Sequence, residues 1–277
     1  GAVTPMKLLA WIGDRAPGAL VFQPALGSGK DENWLERITA ERLAREAGEI
    51  LRGQPTEIAA IAAAGGSAGG ANPKALVLAH ADGSLSLARS PAAADDQPSL
   101  LKLGLPEQPS LRVEYAYLKM AEAAGIELPP FTLISGGEYP HLLIRRFDWQ
   151  DGHRLHLHSL AGLWHPPKAG LDYSDLFRAA VRLDQPQATI LEIARRMLFN
   201  LYAANNDDHG RNHAFLFDRG MAEWRLAPAL DLTYAPGTLS RGLTIAGEVR
   251  PDAGTLAAFL GSVAITGARL RQLADQV

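Results

Sequence analysis

The residues that could do chemistry in this sequence are concentrated in one polar block, Asn205–Asn212, which reads NNDDHGRN. Within it, Asp207 and Asn212 are five positions apart, and a further acidic candidate, Asp231, follows Asn212 by 19 positions. Carboxylate and amide oxygens are the ligands that Mg²⁺ prefers in proteins, and a carboxylate can also orient a hydroxyl group and accept its proton. Metal-assisted transfer of a phosphoryl group, which depends on positioning and charge neutralisation, would need side chains of these types.

The spacing of Asp207 and Asn212 is the one found in the catalytic loop of protein kinases, where the Asp orients the substrate hydroxyl and the Asn binds a metal ion. Asp231 lies at the edge of an apolar segment, like the metal-binding Asp that follows the catalytic loop in those enzymes. An ordinary surface turn is the alternative for the polar block, because Asn, Asp and Gly favour turns. Asp231 could likewise be a cap. The spacing alone leaves both interpretations open.

A glycine-rich segment, residues 65–74, could supply a phosphate-binding loop. It reads GGSAGGANPK, and its backbone N–H groups could approach a phosphate closely because glycine adds no side chain. The segment matches neither the Walker A pattern nor the glycine-rich loop of protein kinases, so a flexible connector is the alternative. Lys74 at its end is either a phosphate contact or a charge at the edge of a strand.

Lys102 lies in the apolar stretch SLLKL, residues 99–103. Burying a lysine is unfavourable unless its ammonium group meets an anion, and Glu114 in the following helix is the nearest candidate. Kinases use a strand lysine of this kind to hold ATP phosphates while it pairs with a helix glutamate. The alternative is an edge-strand lysine that prevents aggregation. The stretch Arg145–Asp148 stands either at a hinge between two lobes or at the charged end of a strand.

The pattern of apolar residues predicts an α+β protein with a two-lobed, protein kinase-like fold and a cleft between the lobes. We assign the β-rich N-terminal lobe, with its glycine loop, to residues 1–147 and the mainly helical C-terminal lobe to residues 148–277. The predicted strands are residues 6–12, 19–22, 74–78, 85–88, 99–103, 131–135, 142–147, 214–217 and 224–226. The predicted helices are residues 33–51, 57–64, 110–124, 172–182, 186–204, 252–261 and 267–277.

Composition and charge exclude several classes of protein. The net charge of −3 argues against a general nucleic-acid binder, and the lack of cysteine excludes a disulfide scaffold, a thiolate metal site and a cysteine nucleophile. No apolar run is long enough to span a membrane, and the first residues lack the layout of a signal peptide, so a cytoplasmic protein is expected. His153, His156 and His158 cluster without supporting carboxylates, which favours a solvated loop over a metal site.

Taken together, these motifs resemble the HipA family of serine/threonine kinases, the toxins of bacterial HipBA-type toxin–antitoxin modules, over nearly the whole chain. The matches, in chain order, are S-x-x-G-A-x-x-K at Ser67, Gly70, Ala71 and Lys74, the strand lysine at Lys102, R-F-D at residues 146–148, D-x-H-x-x-N at Asp207, His209 and Asn212, and P-x-x-D-[LI] at residues 228–232. The last two motifs, in this order and spacing, are the most specific.

The resemblance implies ATP and Mg²⁺ as cofactors and a role for each matched residue. Asp207 would be the catalytic base, Asn212 and Asp231 would hold Mg²⁺, Lys102 would contact the phosphates, and Ser67 would be the autophosphorylated serine. Phosphorylation of Ser67 would add about two negative charges and draw the loop away from ATP. The other nucleotide-contacting residues would be the loop residues Gly69, Gly70, Ala71, Asn72, Pro73 and Lys74, the hinge residues Arg145 and Phe147, and His209, which would mainly orient the catalytic loop.

The resemblance also implies partners. The family's targets are aminoacyl-tRNA synthetases, so we expect a protein substrate of that class, inhibition of translation and growth, a HipB-like antitoxin, and contact with DNA only through that antitoxin. The chain resembles a short form that lacks most of the family's N-terminal β-subdomain, which puts the usual antitoxin contact in doubt. Arg145 also stands where an acidic residue is expected. A small-molecule kinase on the same scaffold and a non-catalytic module that binds ATP or an antitoxin are the alternatives.

Overall fold

The computed structural model describes residues 4–14, 16–25, 37–52, 73–87, 95–106, 111–135, 138–164, 170–237 and 242–263. Several predicted features lie outside these residues. They are the phosphorylation site Ser67, the loop residues Gly69, Gly70, Ala71 and Asn72, and the helices predicted at residues 57–64 and 267–277.

The described helices are α1 Pro5–Ile12, α2 Ala40–Leu51, α3 Leu111–Ala123, α4 Leu160–Trp164, α5 Tyr173–Arg182, α6 Gln187–Tyr202 and α7 Ala253–Ser262. The described strands are β1 Lys74–Ala79, β2 Leu85–Ser86, β3 Gln97–Lys102, β4 Phe131–Ile134, β5 His141–Arg145, β6 Trp149–Gln150, β7 His153–Arg154, β8 His156–Ser159, β9 Ala214–Asp218 and β10 Glu223–Leu226. The described residues combine these seven helices with three antiparallel sheets, so the predicted α+β class is confirmed.

Contacts between residues divide the chain into two units. The first comprises Gly1–Tyr115 and Pro129–Arg154, and the second comprises Ala116–Leu128 and Leu155–Val277. The helix α3 therefore begins in the first unit and continues into the second. The predicted division at residue 147 differs from this one, because it places residues 116–128 in the first lobe and residues 148–154 in the second.

The main sheet of the first unit is antiparallel, with the strand order β2-β1-β3-β5-β4. One face is covered by α2, whose buried Leu43, Ala44 and Ala47 form a core with side chains such as Ala75 and Leu101. Side chains alternate between the two faces of a strand, so Lys102, next to Leu101, belongs to the face that α2 does not cover.

The core of the second unit combines α5 and α6 with a small sheet of strand order β10-β9-β8. Leu176, Ile193, Met197 and Phe215 are all fully buried there. Asp172 fixes the start of α5 through a capping box with Asp175, which satisfies backbone N–H groups that a helix otherwise leaves unpaired.

The strands predicted at residues 6–12 and 19–22 are wrong. Residues 5–12 form α1, whose start shows a helix signal: Thr4 accepts a hydrogen bond from Lys7 N at 3.3 Å, and Pro5 lies in the first turn. A short apolar run does not distinguish a helix from a strand by periodicity alone. Residues 19–22 are irregular, and Phe22 N donates to Gly13 O at 2.9 Å.

Two further expectations need correction. The helix α2 begins at Ala40 rather than at residue 33, because residues 37–39 extend the sheet instead: Ile38 N donates to Leu85 O at 2.8 Å. The histidine stretch predicted as a solvated loop forms β7 and β8. The remaining predicted elements within the described residues are confirmed, with small shifts of their ends. None of the described helices combines the length and the apolarity that a membrane crossing requires.

Candidate active site

The polar block forms a tight turn that brings Asp207 and Asn212 together. His209 N donates to Asp207 O at 2.9 Å, and Asn212 N donates to His209 O at 2.8 Å. The side chain of Asn212 also closes the turn, because its Nδ2 donates to Asp207 O at 3.2 Å. The interpretation as a turn is therefore correct for the backbone, and this turn is what joins the two candidate residues.

The hydrogen bonds of the turn determine which atoms remain available. Only the amide nitrogen of Asn212 can donate to a carbonyl, so its Oδ1 is the atom left to bind a metal ion. The carboxylate of Asp207 makes no hydrogen bond or ion pair with any residue that the structure describes. The half-buried turn thus presents an amide oxygen that suits Mg²⁺ and a carboxylate that can accept a proton from a hydroxyl group.

The turn is fastened to the start of α4. Ala161 N donates to Gly210 O at 2.9 Å, and Leu160 N donates to His213 O at 2.7 Å. A Cβ on Gly210 would lie only 2.5 Å from Leu171 Cδ1, so a larger residue would have to push this side chain away. Glycine therefore permits the close approach of the turn to its neighbours.

Asp208 is the buried anchor of the turn, and the sequence analysis did not single it out. Its Oδ1 accepts from His213 Nε2 at 2.6 Å, its Oδ2 accepts a short hydrogen bond from the Tyr173 hydroxyl, and its O accepts from Leu243 N at 2.7 Å. Burial, then the charge of Asp208 and its hydrogen bond, raise the pKa of Tyr173 well above its ordinary value, so the phenol stays protonated and donates.

The position of this buried pair explains its importance. Asp208 follows Asp207 and His213 follows Asn212, so the two hydrogen-bonded residues are the direct neighbours of the two candidate residues. Fixing Asp208 to His213 therefore fixes both ends of the turn. The sequence signal for it is the repeated five-residue offset in the doublets Asp207–Asp208 and Asn212–His213.

The segment after Asp231 is tied to the segment before Asp207. Ala235 N donates to Ala204 O at 3.1 Å, and Asn206 Nδ2 donates to Pro236 O at 2.9 Å. Asp231 itself is half-buried and has a φ of 56°, in the left-handed region that few non-glycine residues adopt. Such backbone conformations are often found at functional sites, which agrees with a role for this carboxylate.

In the first unit, Lys102 and Glu114 form a buried ion pair. The Nζ and Oε1 atoms are 2.5 Å apart, and the two side chains are 7% and 9% exposed. The predicted pairing is therefore confirmed. The alternative of an edge-strand lysine is wrong, because β3 lies between β1 and β5 in the sheet.

Lys74 lies directly opposite Lys102 in the pairing of β1 with β3. Residues opposite each other in an antiparallel pair point to the same face, and two like charges there repel one another. Lys102 is paired with Glu114, and Lys74 adds a second positive charge to this face of the sheet, which therefore suits a further anion. Leu76 and Leu100, which are half-buried, share the face and could contact an apolar group.

The hinge candidates lie at the end of β5. Arg146 binds Asp148 through two hydrogen bonds, from Nε at 2.9 Å and from Nη2 at 2.7 Å, and Gly18 N donates to Asp148 Oδ2 at 2.5 Å. The backbone N–H of Arg145 already donates to Pro130 O at 2.8 Å, which leaves its carbonyl and the half-buried Phe147 for any contact with a base.

The sequence family described as HipA-like C-terminal domain matches residues 66–277, which include the turn, Asp231 and the Lys102–Glu114 pair. The chain belongs to this family. A relative named "Putative kinase Y4mE", from Sinorhizobium fredii, is 28% identical over 165 residues. That match covers 54% of this chain and 38% of the relative, so it spans less than half of the relative's length.

The fold of this HipA-family chain is that of HipA itself. The solved structure of HipA from Shewanella oneidensis MR-1, in complex with HipB and its operator DNA, matches with a TM-score of 0.73 and 19% identity. The match covers 100% of this chain and 70% of that one. The proinflammatory kinase CtkA from Helicobacter pylori reaches a TM-score of 0.45 at 11% identity, over 68% of this chain and 87% of that one, which is too low to establish a shared fold.

The R-F-D motif of this HipA-family chain gives a prediction about acid stability. Burial alone would raise the pKa of Asp148, but hydrogen bonds and charge from Arg146, with the Gly18 N–H and Arg154, hold it below its ordinary value of 3.8. A lowered pKa means that the pair stabilises the fold above that ordinary value and loses this contribution as the pH falls through the folded-state pKa. We expect urea unfolding between about pH 6 and about pH 3 to show a steeper loss of stability for the wild type than for Asp148→Asn. Equal slopes would show that Asp148 contributes nothing to the acid response.

Proposed function

We propose that this chain is an ATP- and Mg²⁺-dependent serine/threonine-protein kinase of the HipA type. In this proposal, Asp207 orients the hydroxyl of a protein substrate and accepts its proton, while Lys102 contacts the phosphates of ATP. Asn212 and Asp231 hold the metal ion, which neutralises charge on the phosphates when it is bound. The donor set fits this ion, because Oδ1 of Asn212 and a carboxylate are hard oxygen ligands.

The observation that carries the proposal is the buried pair of Lys102 and Glu114. A lysine held by a helix glutamate in a central strand is the arrangement that protein kinases use to position ATP phosphates. Lys74 adds a second cation on the same face, where an anion would relieve the repulsion between the two ammonium groups. The remaining nucleotide contacts that we propose, at residues 69–74, Arg145, Phe147 and His209, complete this assignment.

The biology that we propose follows from family membership. HipA of Shewanella oneidensis was solved with HipB and operator DNA, so a HipB-like antitoxin is the proposed partner here and DNA the indirect one. An aminoacyl-tRNA synthetase is the proposed substrate, and growth inhibition is the proposed consequence of its phosphorylation. Ser67 is the proposed site of autophosphorylation.

The decisive experiment is intact-mass analysis of the protein after incubation with Mg-ATP. We expect the mass to rise by one phosphoryl group, with fragmentation placing it on Ser67, and we expect no change when EDTA replaces Mg²⁺. Purified aminoacyl-tRNA synthetases, offered in the same reaction, test the proposed substrate. Saturable ATP binding without transfer to the protein itself or to any of these substrates would overturn the proposal in favour of a non-catalytic ATP-binding module.

A further inference from the structure

Two histidines that the proposed kinase reaction does not use lie side by side on β8. His156 and His158 are separated by one residue, so they point to the same face of the strand. Their ring centroids are 5.6 Å apart, and the ring planes are inclined by only 31°. Both side chains are half-buried, and His156 also packs edge-on against Trp224.

Neither ring is used to hold the fold together through a hydrogen bond. Elsewhere in the described residues, the ring of His80 binds Asp96 and Ser86, and the ring of His213 binds Asp208. His156 and His158 make no hydrogen bond or ion pair with any described residue, and their nitrogens are not among the described polar atoms buried without a partner. Their ring nitrogens therefore reach solvent and can bind a ligand.

The distance between the rings suits one shared metal ion. Histidine nitrogens bind Zn²⁺ at about 2.0–2.1 Å, and tetrahedral coordination then places the centres of two imidazoles roughly 5 Å apart. The observed separation of 5.6 Å is close to that value before any ion is bound.

The first residues of α4 leave space beside the second histidine. A Cβ on Gly162 would lie 3.3 Å from Nε2 of His158 and 3.4 Å from Oγ of Ser159, so the glycine keeps this nitrogen uncrowded.

We propose that His156 and His158 form a two-imidazole site for a borderline divalent transition-metal ion such as Zn²⁺, with water in the remaining positions. Imidazole ligands select ions of this class, whereas Mg²⁺ prefers oxygen. The site is therefore chemically distinct from the proposed magnesium site on Asn212 and Asp231.

Isothermal titration of the tag-free protein with ZnCl₂, without nucleotide or Mg²⁺, tests the site directly. We expect one saturable site in the wild type. We expect His156→Asn and His158→Asn each to weaken the affinity for Zn²⁺ by more than roughly 10-fold. Loss of a residue that only supports a metal ligand already weakens metal binding by roughly 10- to 100-fold, and loss of the ligand itself should weaken it at least as much. His153→Asn is the matched control, since His153 is the third histidine of the cluster but is exposed on β7 and should leave the affinity unchanged.

The proposal is overturned if the wild type shows no saturable site, if either single variant binds Zn²⁺ like the wild type, or if His153→Asn weakens binding as much as the other two. If a variant fails to fold, the site is tested instead by an NMR titration of the wild-type protein labelled with ¹⁵N in histidine. In that titration the ring signals of two histidines should move together, and movement of other rings alone would reject the site. Because nucleotide is absent, these outcomes do not depend on whether the chain is a kinase.

Discussion

Replacing Lys102 with Met is expected to reduce ATP-dependent phosphoryl transfer by at least about 100-fold, the scale on which losing one positioned donor slows catalysis. The same change should lower the free energy of unfolding by roughly 3–5 kcal/mol, because it leaves the buried carboxylate of Glu114 without this ammonium group. A loss of activity in this variant therefore has two possible origins, and a second variant is needed to separate them.

The double variant Lys102→Met/Glu114→Leu separates stability from function. It removes both charges, and replacing a buried ion pair by apolar side chains of similar volume is often neutral or stabilising. We expect urea unfolding to show stability close to that of the wild type, while transfer from labelled ATP stays as low as in Lys102→Met. Recovery of transfer in the stable double variant would show that Lys102 serves the fold rather than the phosphates, and the kinase proposal would lose the observation on which it rests.

The Lys102–Glu114 pair could be predicted from the sequence because its physical reason is local. A lysine within an apolar strand has to meet an anion, and the next helix offers a glutamate near its start. The same holds for the turn of Asp207 and Asn212, whose five-residue spacing is closed by hydrogen bonds inside the turn itself. Features that depend on residues close together in the sequence could therefore be predicted from it.

The contact between Asp208 and Tyr173, which buries the anchor of the turn, could not be predicted in the same way, because the two residues are distant in the sequence. Asp208 meets Tyr173, 35 positions earlier, and nothing in the local pattern shows that these side chains share a core. The prediction of a strand at residues 6–12 was wrong for a different reason. Residues 6–12 are apolar enough for either a helix or a strand, and the capping signal at Thr4 and Pro5 is what distinguishes the helix.

The adjacent residues Asp207 and Asp208 should respond to substitution in opposite ways. Asp207→Ala is expected to slow phosphoryl transfer by about 100- to 10,000-fold, the usual contribution of a positioned general base. Its thermal unfolding should stay close to that of the wild type, because its carboxylate binds no residue that the structure describes. ATP binding should also be retained, since Asp207 is not proposed to contact the nucleotide.

Asp208→Ala should instead destabilise the protein by roughly 3 kcal/mol or more, because it leaves both the Tyr173 hydroxyl and His213 Nε2 buried without their acceptor. Thermal unfolding, ATP binding and transfer, measured on both variants, form one matched experiment in which neighbouring carboxylates of equal size are removed. If Asp207→Ala unfolded as readily as Asp208→Ala, or still transferred phosphate at the wild-type rate, then Asp207 would be part of an ordinary turn. If Asp207 is a catalytic carboxylate that its buried neighbour holds in place, then Asp207→Ala should be stable and inactive, whereas Asp208→Ala should be unstable.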